Sequence, residues 1–138
     1  MAKLKMKSTV IEQKMIADGI CSMWLDAKEV AVQAKPGQFI SVYSNDKSRV
    51  LPRPISICEI DREKGTLRIV YRVVGKGTEE FSKMTTGMQL DIIGPLGNGF
   101  PTKKKKAFLI GGGIGIPPML ELAKQLDCEK LIAAAPNI

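Results

Sequence analysis

Leu51-Pro-Arg-Pro-Ile-Ser-Ile57 and, shortly after it, Val70-Tyr-Arg-Val-Val-Gly-Lys-Gly-Thr78 are the two segments on which the reading of this chain turns. In the first, Pro52 and Pro54 fix φ and withdraw two backbone donors. Arg53 therefore sits on an extended, stiffened stretch that reads as a sheet edge or an irregular strand start rather than a central ladder. Ser56 follows on the same segment. The second segment is an alternating strand that runs into a glycine turn with a candidate helix start beyond it. A guanidinium binds phosphate oxygens bidentately, and Gly75, Gly77 and Thr78 can turn backbone N–H groups toward the same anion. Such a pair suits a ligand that carries both a flat polar ring and a pyrophosphate.

Working outward, residues 1 to about 100 read as β-rich. Lys7–Ala17 and Ile20–Ala27 are joined at Asp18-Gly19, a hairpin signal. Gln38–Ser44 follows the turn Lys35-Pro-Gly37 and contains the strand formers Phe39-Ile-Ser-Val-Tyr43. Ile55–Asp61 continues the proline-flanked segment, and Asp61-Arg-Glu-Lys-Gly65 turns the chain into Thr66–Val74. In that strand Leu67, Ile69, Tyr71 and Val73 face one way, and Arg68, Val70, Arg72 and Val74 the other. Thr78–Met84 reads as one or two helical turns with Glu79 and Glu80 at the favourable end of its dipole. Gln89–Ile93 is a sixth strand, closed by Gly94-Pro-Leu-Gly-Asn-Gly-Phe-Pro101. Six short strands with this turn spacing fit a small antiparallel barrel or a sandwich, and the pattern alone does not separate the two.

After Pro101 the pattern changes. Ala107–Ile110 is a continuous apolar run, as in a strand buried on both faces. It meets Gly111-Gly-Gly-Ile-Gly115, then Pro117-Pro118 and a helix whose Met119, Leu122, Ala123 and Leu126 share one face. Lys130–Ala134 reads as the next strand. One strand–helix–strand unit does not make a doubly wound sheet. The chain is therefore expected to hold only the start of a second domain, as a fragment or through a truncated gene. The helix face of Met119, Leu122 and Leu126 is expected to lack the strands that would cover it.

Composition narrows the function classes. The chain has 138 residues, 44% hydrophobic and 25% charged, as in an ordinary globular protein. No apolar run reaches the roughly 18–20 residues of a membrane span, and no signal-peptide core follows the basic N-terminus, so a cytoplasmic location is expected. The net charge is +7, but four of the 21 basic residues form the run Lys103–Lys106, with few aromatics and no base-stacking motif nearby. That run reads as a solvated linker or partner-docking edge, not a nucleic-acid surface. With no histidine, serine- or cysteine-hydrolase chemistry lacks its base. Cys21, Cys58 and Cys128 are too scattered for a disulfide framework or a metal cluster. Asp61, Glu63, Glu79 and Glu80 lie in polar turns or at a helix start, where solvated roles are expected.

These segments together resemble the flavin-binding domain of the ferredoxin-reductase superfamily, and their wording is most similar to the electron-transfer subunits of bacterial dihydroorotate dehydrogenase. The resemblance implies a mainly β fold: a six-stranded antiparallel Greek-key FAD-binding barrel over residues 1–101. A truncated α/β (strand–helix–strand) start of a nucleotide-binding domain then occupies 102–138. It implies FAD contacts from Arg53, Pro54, Ile55 and Ser56, with the arginine on the phosphates and the serine toward the ring. Ile55 stands where many relatives carry an aromatic that stacks on the flavin. Val70, Tyr71 and Arg72 would run alongside the flavin and meet it through their backbone, the Tyr71 ring itself reading as core. Gly77 and Thr78 would hold the pyrophosphate at a helix start, the threonine as an N-cap or a hydroxyl donor. Gly111, Gly112, Gly113 and Gly115 match the superfamily's turn for the nicotinamide nucleotide, although no acidic ribose ligand follows: the positions are Ala133, Ala134 and Ala135.

Full-length members of the resembled family add the rest of the NAD-binding domain and a cysteine cluster for a [2Fe–2S] centre, and pass electrons to or from a catalytic dihydroorotate dehydrogenase subunit. For this chain the expected remainder is FAD binding, with no metal site and no catalytic residue of its own. The alternatives are a flavin subunit of ferredoxin–NADP reductase or sulfide dehydrogenase type, and a non-catalytic binding or docking fragment.

Overall fold

Alternation in the strand that begins at Thr66 sets inside and outside for the whole sheet. Leu67, Ile69 and Tyr71 are buried in one continuous apolar core, while Arg68 and Arg72 point away from it. The computed structural model describes residues 4–43, 52–100, 108–125 and 130–134. Leu51, the lysine run Lys103–Lys106, Leu126, Cys128 and residues 135–138 lie outside that range.

Six strands form the first body: β1 (Leu4–Ala17), β2 (Ile20–Asp26), β3 (Phe39–Val42), β4 (Arg53–Asp61), β5 (Thr66–Arg72) and β6 (Gln89–Leu96). They close into a barrel in the order β1-β2-β5-β4-β3-β6, every neighbouring pair antiparallel. β3, β4 and β5 lie side by side in chain order and β6 returns beside β3, which is a Greek key. Closure decides between the barrel and the sandwich that the strand pattern left open.

Turn chemistry fixes the register. Gly19 has φ +70° in the β1–β2 hairpin, and Gly65 has φ +69° ahead of β5, conformations open to glycine and strained for other residues. Several strand ends differ from the sequence reading. β1 begins at Leu4, and β6 runs through Gly94-Pro95 to Leu96 instead of stopping at Ile93. The continuation works because a Cβ on Gly94 would lie 2.7 Å from Ile40 Cγ2, so β6 passes β3 at a distance only glycine allows.

Two short helices interrupt the strands. α1 (Lys28–Ala31) was not foreseen; it buries Val30 and Ala31 in the core and is too short to show a helical period. α2 (Lys76–Ser82) starts two residues before the expected Thr78.

The second body is β7 (Phe108–Gly112), a 3₁₀ turn at Gly113–Gly115, α3 (Pro117–Gln125) and β8 (Lys130–Ala134), with β7 and β8 parallel. Gly111 and Gly112 belong to β7, paired with Ala133 and Ala134 of β8, so the glycine turn proper is Gly113–Gly115. The expectation of an uncovered helix face is corrected by the packing of α3. Leu122 is 4% exposed and packs with Phe100, Met119 and Ala123, while Leu120 lies against Ile20, Cys58 and Val70 on the outside of the barrel.

A polar contact also joins the two bodies. β3 pairs with β4 only as far as Ser56, which leaves the later part of that edge open. There the buried Glu121 carboxylate accepts the Ile60 N–H at 2.7 Å and the Gln125 amide at 2.7 Å. Lys124 lies 3.6 Å from both Glu121 and Glu59, and Glu59 in turn pairs with Arg68 at 3.2 Å. A buried donor left without an acceptor costs about 1–3 kcal/mol, so the carboxylate stabilises the docked helix.

Candidate flavin site

β4 and β5 pair from Asp61–Thr66 up to Ile57–Ile69, and no register pair between them lies beyond. On their far sides both strands stay paired: Arg53–Ser56 with β3 and Ile20–Cys21 of β2 with Arg72 and Tyr71. The facing backbone edges of Arg53–Ser56 and Val70–Arg72 thus border a seam in the barrel wall. Backbone donors and acceptors along such a seam need partners, and a planar heterocycle with polar edges can supply them.

The exit from β5 completes the arrangement. The chain leaves at Arg72, passes Val73 and Val74, and starts α2 with Gly75 as N-cap. The sequence reading had Thr78 as a possible cap or phosphate donor. Instead Thr78 occupies the third helical position. Its hydroxyl accepts the N–H groups of Val74 (2.9 Å) and Gly75 (3.1 Å) and donates to Gly75 O (3.1 Å). The hydroxyl therefore shapes the turn. The N–H groups of Lys76, Gly77 and Thr78 are left for an anion, because the first turn of a helix has no internal acceptors for them.

Arg53 and Gly77, 24 positions apart in sequence, meet here. A Cβ built on Gly77 would lie 3.1 Å from Arg53 Nε and 3.8 Å from its Nη2, and one on Gly75 would lie 3.8 Å from Nη2. Glycine at 77 is thus what lets the guanidinium lie along the start of α2. Cation, helix dipole and free N–H groups converge on one point, the donor set a pyrophosphate needs.

The remaining sequence-derived positions divide by side-chain direction. Arg53, Pro54, Ser56 and Arg72 are exposed. Ile55 and Tyr71 are buried in the barrel core, so only their main chain faces the seam, and Ile55 cannot lie flat on a ring as an aromatic at that position would. Val70 is buried on the outer side, beneath α3. Tyr71 packs edge-on against Phe81 (6.4 Å between centroids, 87°) and donates its hydroxyl to Gln13 Oε1. Burial, with the Cys21 thiol beside it, pushes its phenol far above the usual range. Gly111–Gly113 and Gly115 lie together at the end of β7 and in the 3₁₀ turn, ahead of α3.

Gln13 is the residue that sequence reasoning missed. Its amide donates to Phe81 O (2.7 Å) and Met84 O (2.6 Å) at the far end of α2. No local motif signals this, since the partners are 68 and 71 residues away.

Cys21 and Cys58 are free, buried thiols. Burial pushes the Cys58 thiol up to about 11, so it is inert at neutral pH. Among the described residues no cluster of three or more His, Cys, Asp or Glu could hold a metal, and no helix is long and apolar enough to cross a membrane.

The family model for the oxidoreductase FAD-binding domain matches residues 4–100. The chain belongs to this family. Its matched span is the barrel together with α2, the elements that border the seam and the Arg53–Gly77 contact. Among curated relatives it is 46% identical over 123 residues to the electron transfer subunit of dihydroorotate dehydrogenase B (NAD(+)) from Enterococcus faecalis. That match covers 86% of this chain and 47% of the relative. It is 47% identical over 135 residues to the same-named subunit of Streptococcus mutans, covering 95% of this chain and 52% of the relative. The chain thus spans about half the length of the curated relatives it matches. Among solved structures, an NADH-dependent reduced ferredoxin–NADP oxidoreductase superposes with a TM-score of 0.85 at 29% identity, over 94% of this chain and 48% of that one. Phthalate dioxygenase reductase shares the fold, with a TM-score of 0.71 at 22% identity over 95% of this chain and 43% of that one.

Proposed function

We propose that this chain is the FAD-binding part of an electron-transfer subunit of an NAD-dependent dihydroorotate dehydrogenase, acting in pyrimidine biosynthesis. The observation that carries the reading is the contact of Arg53 with Gly77 beside the unpaired β4–β5 seam. Glycine at 77 leaves room for the guanidinium to approach the helix start, and the result is a pyrophosphate cradle next to a slot with free backbone edges. The residues fit FAD. Arg53 and the N–H groups of Lys76, Gly77 and Thr78 would hold the pyrophosphate. Ser56 and the backbone of Pro54, Ile55, Val70, Tyr71 and Arg72 would meet the ring and ribityl chain. When bound, FAD supplies the exchange between two-electron and one-electron transfer. The protein's own part is to neutralise phosphate charge, orient the ring and keep one edge of the seam under α3.

In the whole protein, Gly111, Gly112, Gly113 and Gly115 would receive the nicotinamide nucleotide of NAD, and a [2Fe–2S] centre would be held outside this chain. Electrons would pass to or from a catalytic dihydroorotate dehydrogenase subunit in a hetero-oligomer in the cytoplasm. We place the boundary between the FAD-binding domain (1–101) and the start of the NAD-binding domain (102–138) where β6 and its closing turn end. The reading calls for neither nucleic acid nor a membrane. Identities of 42–47% to the dihydroorotate dehydrogenase subunits favour it over the ferredoxin–NADP reductase alternative, where identity falls to 29%.

FAD titration tests the reading, followed by quenching of flavin fluorescence and with riboflavin in parallel. One FAD per chain at micromolar concentration, bound more tightly than riboflavin, supports it; folded protein that binds no FAD overturns it.

A further inference from the structure

We propose that Gln13 and Tyr71 are positioning residues for the pyrophosphate cradle: a side-chain clamp that sets where α2 sits relative to Arg53. The inference deepens the flavin reading above and rests on it.

α2 has seven residues, too few to hold a helix by its own hydrogen bonds. Three anchors fix it. Phe81 is buried in the barrel core. At the N-terminal end, the Thr78 hydroxyl ties the first turn to Val74 and Gly75. At the C-terminal end one side chain, Gln13 of β1, ties the Phe81 carbonyl, which also accepts the Met84 N–H at 3.1 Å, to the Met84 carbonyl just past the helix. It donates to Phe81 O at 2.7 Å and Met84 O at 2.6 Å.

Gln13 is itself held. Its Oε1 accepts the Tyr71 hydroxyl, and the Tyr71 ring meets Phe81 edge-on. All three polar functions of the amide thereby have partners, which fixes its orientation. The contacts close a ring from β1 to β5 to α2 and back. Tyr71 also belongs to the β5 segment that borders the seam, so the clamp ties the strand beside the ring site to the helix whose start carries Gly77. With Arg53 Nε only 3.1 Å from a Cβ position on Gly77, a small shift of α2 changes how the guanidinium and the helix N–H groups converge. A residue that only stabilised the barrel would weaken every ligand alike. One that positions α2 acts on the phosphate end.

The test uses the chain as it is, with Gln13→Leu and Tyr71→Phe, and measures Kd for FAD and for riboflavin alongside amide exchange in the flavin-free protein. Gln13→Leu removes all three hydrogen bonds of the clamp, and even the worth of one is expected to raise its FAD Kd about fivefold or more, with the riboflavin Kd changed by less than about twofold. Glu79–Lys83 amides should exchange faster, while Met23 and Ile69 in the core keep wild-type protection. Tyr71→Phe removes one oxygen and leaves both amide donors, so it should shift the ratio in the same direction by less. If Gln13→Leu does not fold, Tyr71→Phe decides by the same ratio. FAD and riboflavin weakened together, or a wild-type FAD-to-riboflavin ratio in the variant that decides, overturns the clamp and leaves the flavin site standing. A wild-type chain with no preference for FAD over riboflavin overturns the pyrophosphate reading and the clamp with it.

Discussion

Gly77→Ala separates the binding function of α2 from its stability. The methyl group would enter at 3.1 Å from Arg53 Nε, 3.7 Å from its Cγ and 3.8 Å from its Nη2, so the arginine must give way by a few tenths of an ångström. Gly77 lies inside a helix and has no positive φ. Alanine therefore suits the backbone and contributes up to about 0.5–1 kcal/mol of helix propensity. The displaced guanidinium costs nothing to the fold, since its side chain is exposed and free to move into solvent. Folding stability should thus hold or rise, with a Tm change between zero and roughly +5 °C. Binding should suffer instead. Complete loss of a charge-assisted hydrogen bond costs about 1.5–3 kcal/mol, so roughly 10- to 100-fold is the ceiling, and a shifted guanidinium should raise the FAD Kd by a measurable part of it. Riboflavin, without phosphate, should bind as before. Thermal unfolding and paired flavin titrations read both quantities. Wild-type FAD affinity in Gly77→Ala would refute the cradle, and a clear fall in Tm would refute the reasoning that glycine is there for the ligand and not for the fold.

Arg53→Ala removes that bond outright and should weaken FAD by roughly 10- to 100-fold while leaving riboflavin unchanged, checked in the same titrations. Glu121→Ala leaves the buried Ile60 N–H without an acceptor and should cost about 1–3 kcal/mol in the docking of α3, seen as faster amide exchange at residues 119–125 with little change in β2 or β5. The Cys58 thiol, raised from 9.0 to about 11 by burial, keeps its proton in the folded chain after the unfolded chain has lost its own. Stability should consequently fall as pH rises from about 9 to about 11, and Cys58→Ala should flatten the denaturation-midpoint profile between about pH 9 and 10 and leave above it the fall that the raised Tyr71 phenol supplies. Below pH 9 iodoacetamide should alkylate Cys58 only on unfolding.

Most of the barrel was legible because its strands state their faces. Leu67, Ile69 and Tyr71 alternate with Arg68 and Arg72, and glycine marks the turns at Asp18-Gly19 and Gly65. Arg53 between two prolines read as a strand edge, and on its β5 side it is one. What failed to show was built from long-range contacts or from elements shorter than a period. α1 has four residues and no repeat to read. Gly94 looks like a strand breaker until Ile40 of the neighbouring strand is seen against it. Thr78 looks like a cap from its place before two glutamates, yet the helix begins earlier and its hydroxyl turns back to Val74 and Gly75. Glu121 gave no signal in a lysine-containing helix, since its role depends on where β3 stops pairing with β4. Covering of the apolar face of α3 was missed for the same reason: the sequence shows a face but not the barrel wall that meets it.

The most direct measurement of the central claim is the amide-exchange footprint of FAD on this chain. The β4–β5 seam and the start of α2 should gain protection on binding, at residues 53–56 and 70–78, while the hairpin at Asp18-Gly19 and the far end of β4 at Glu59–Asp61 stay as they were. A footprint centred on Gly111–Gly115 instead, or none at saturating FAD, would contradict it.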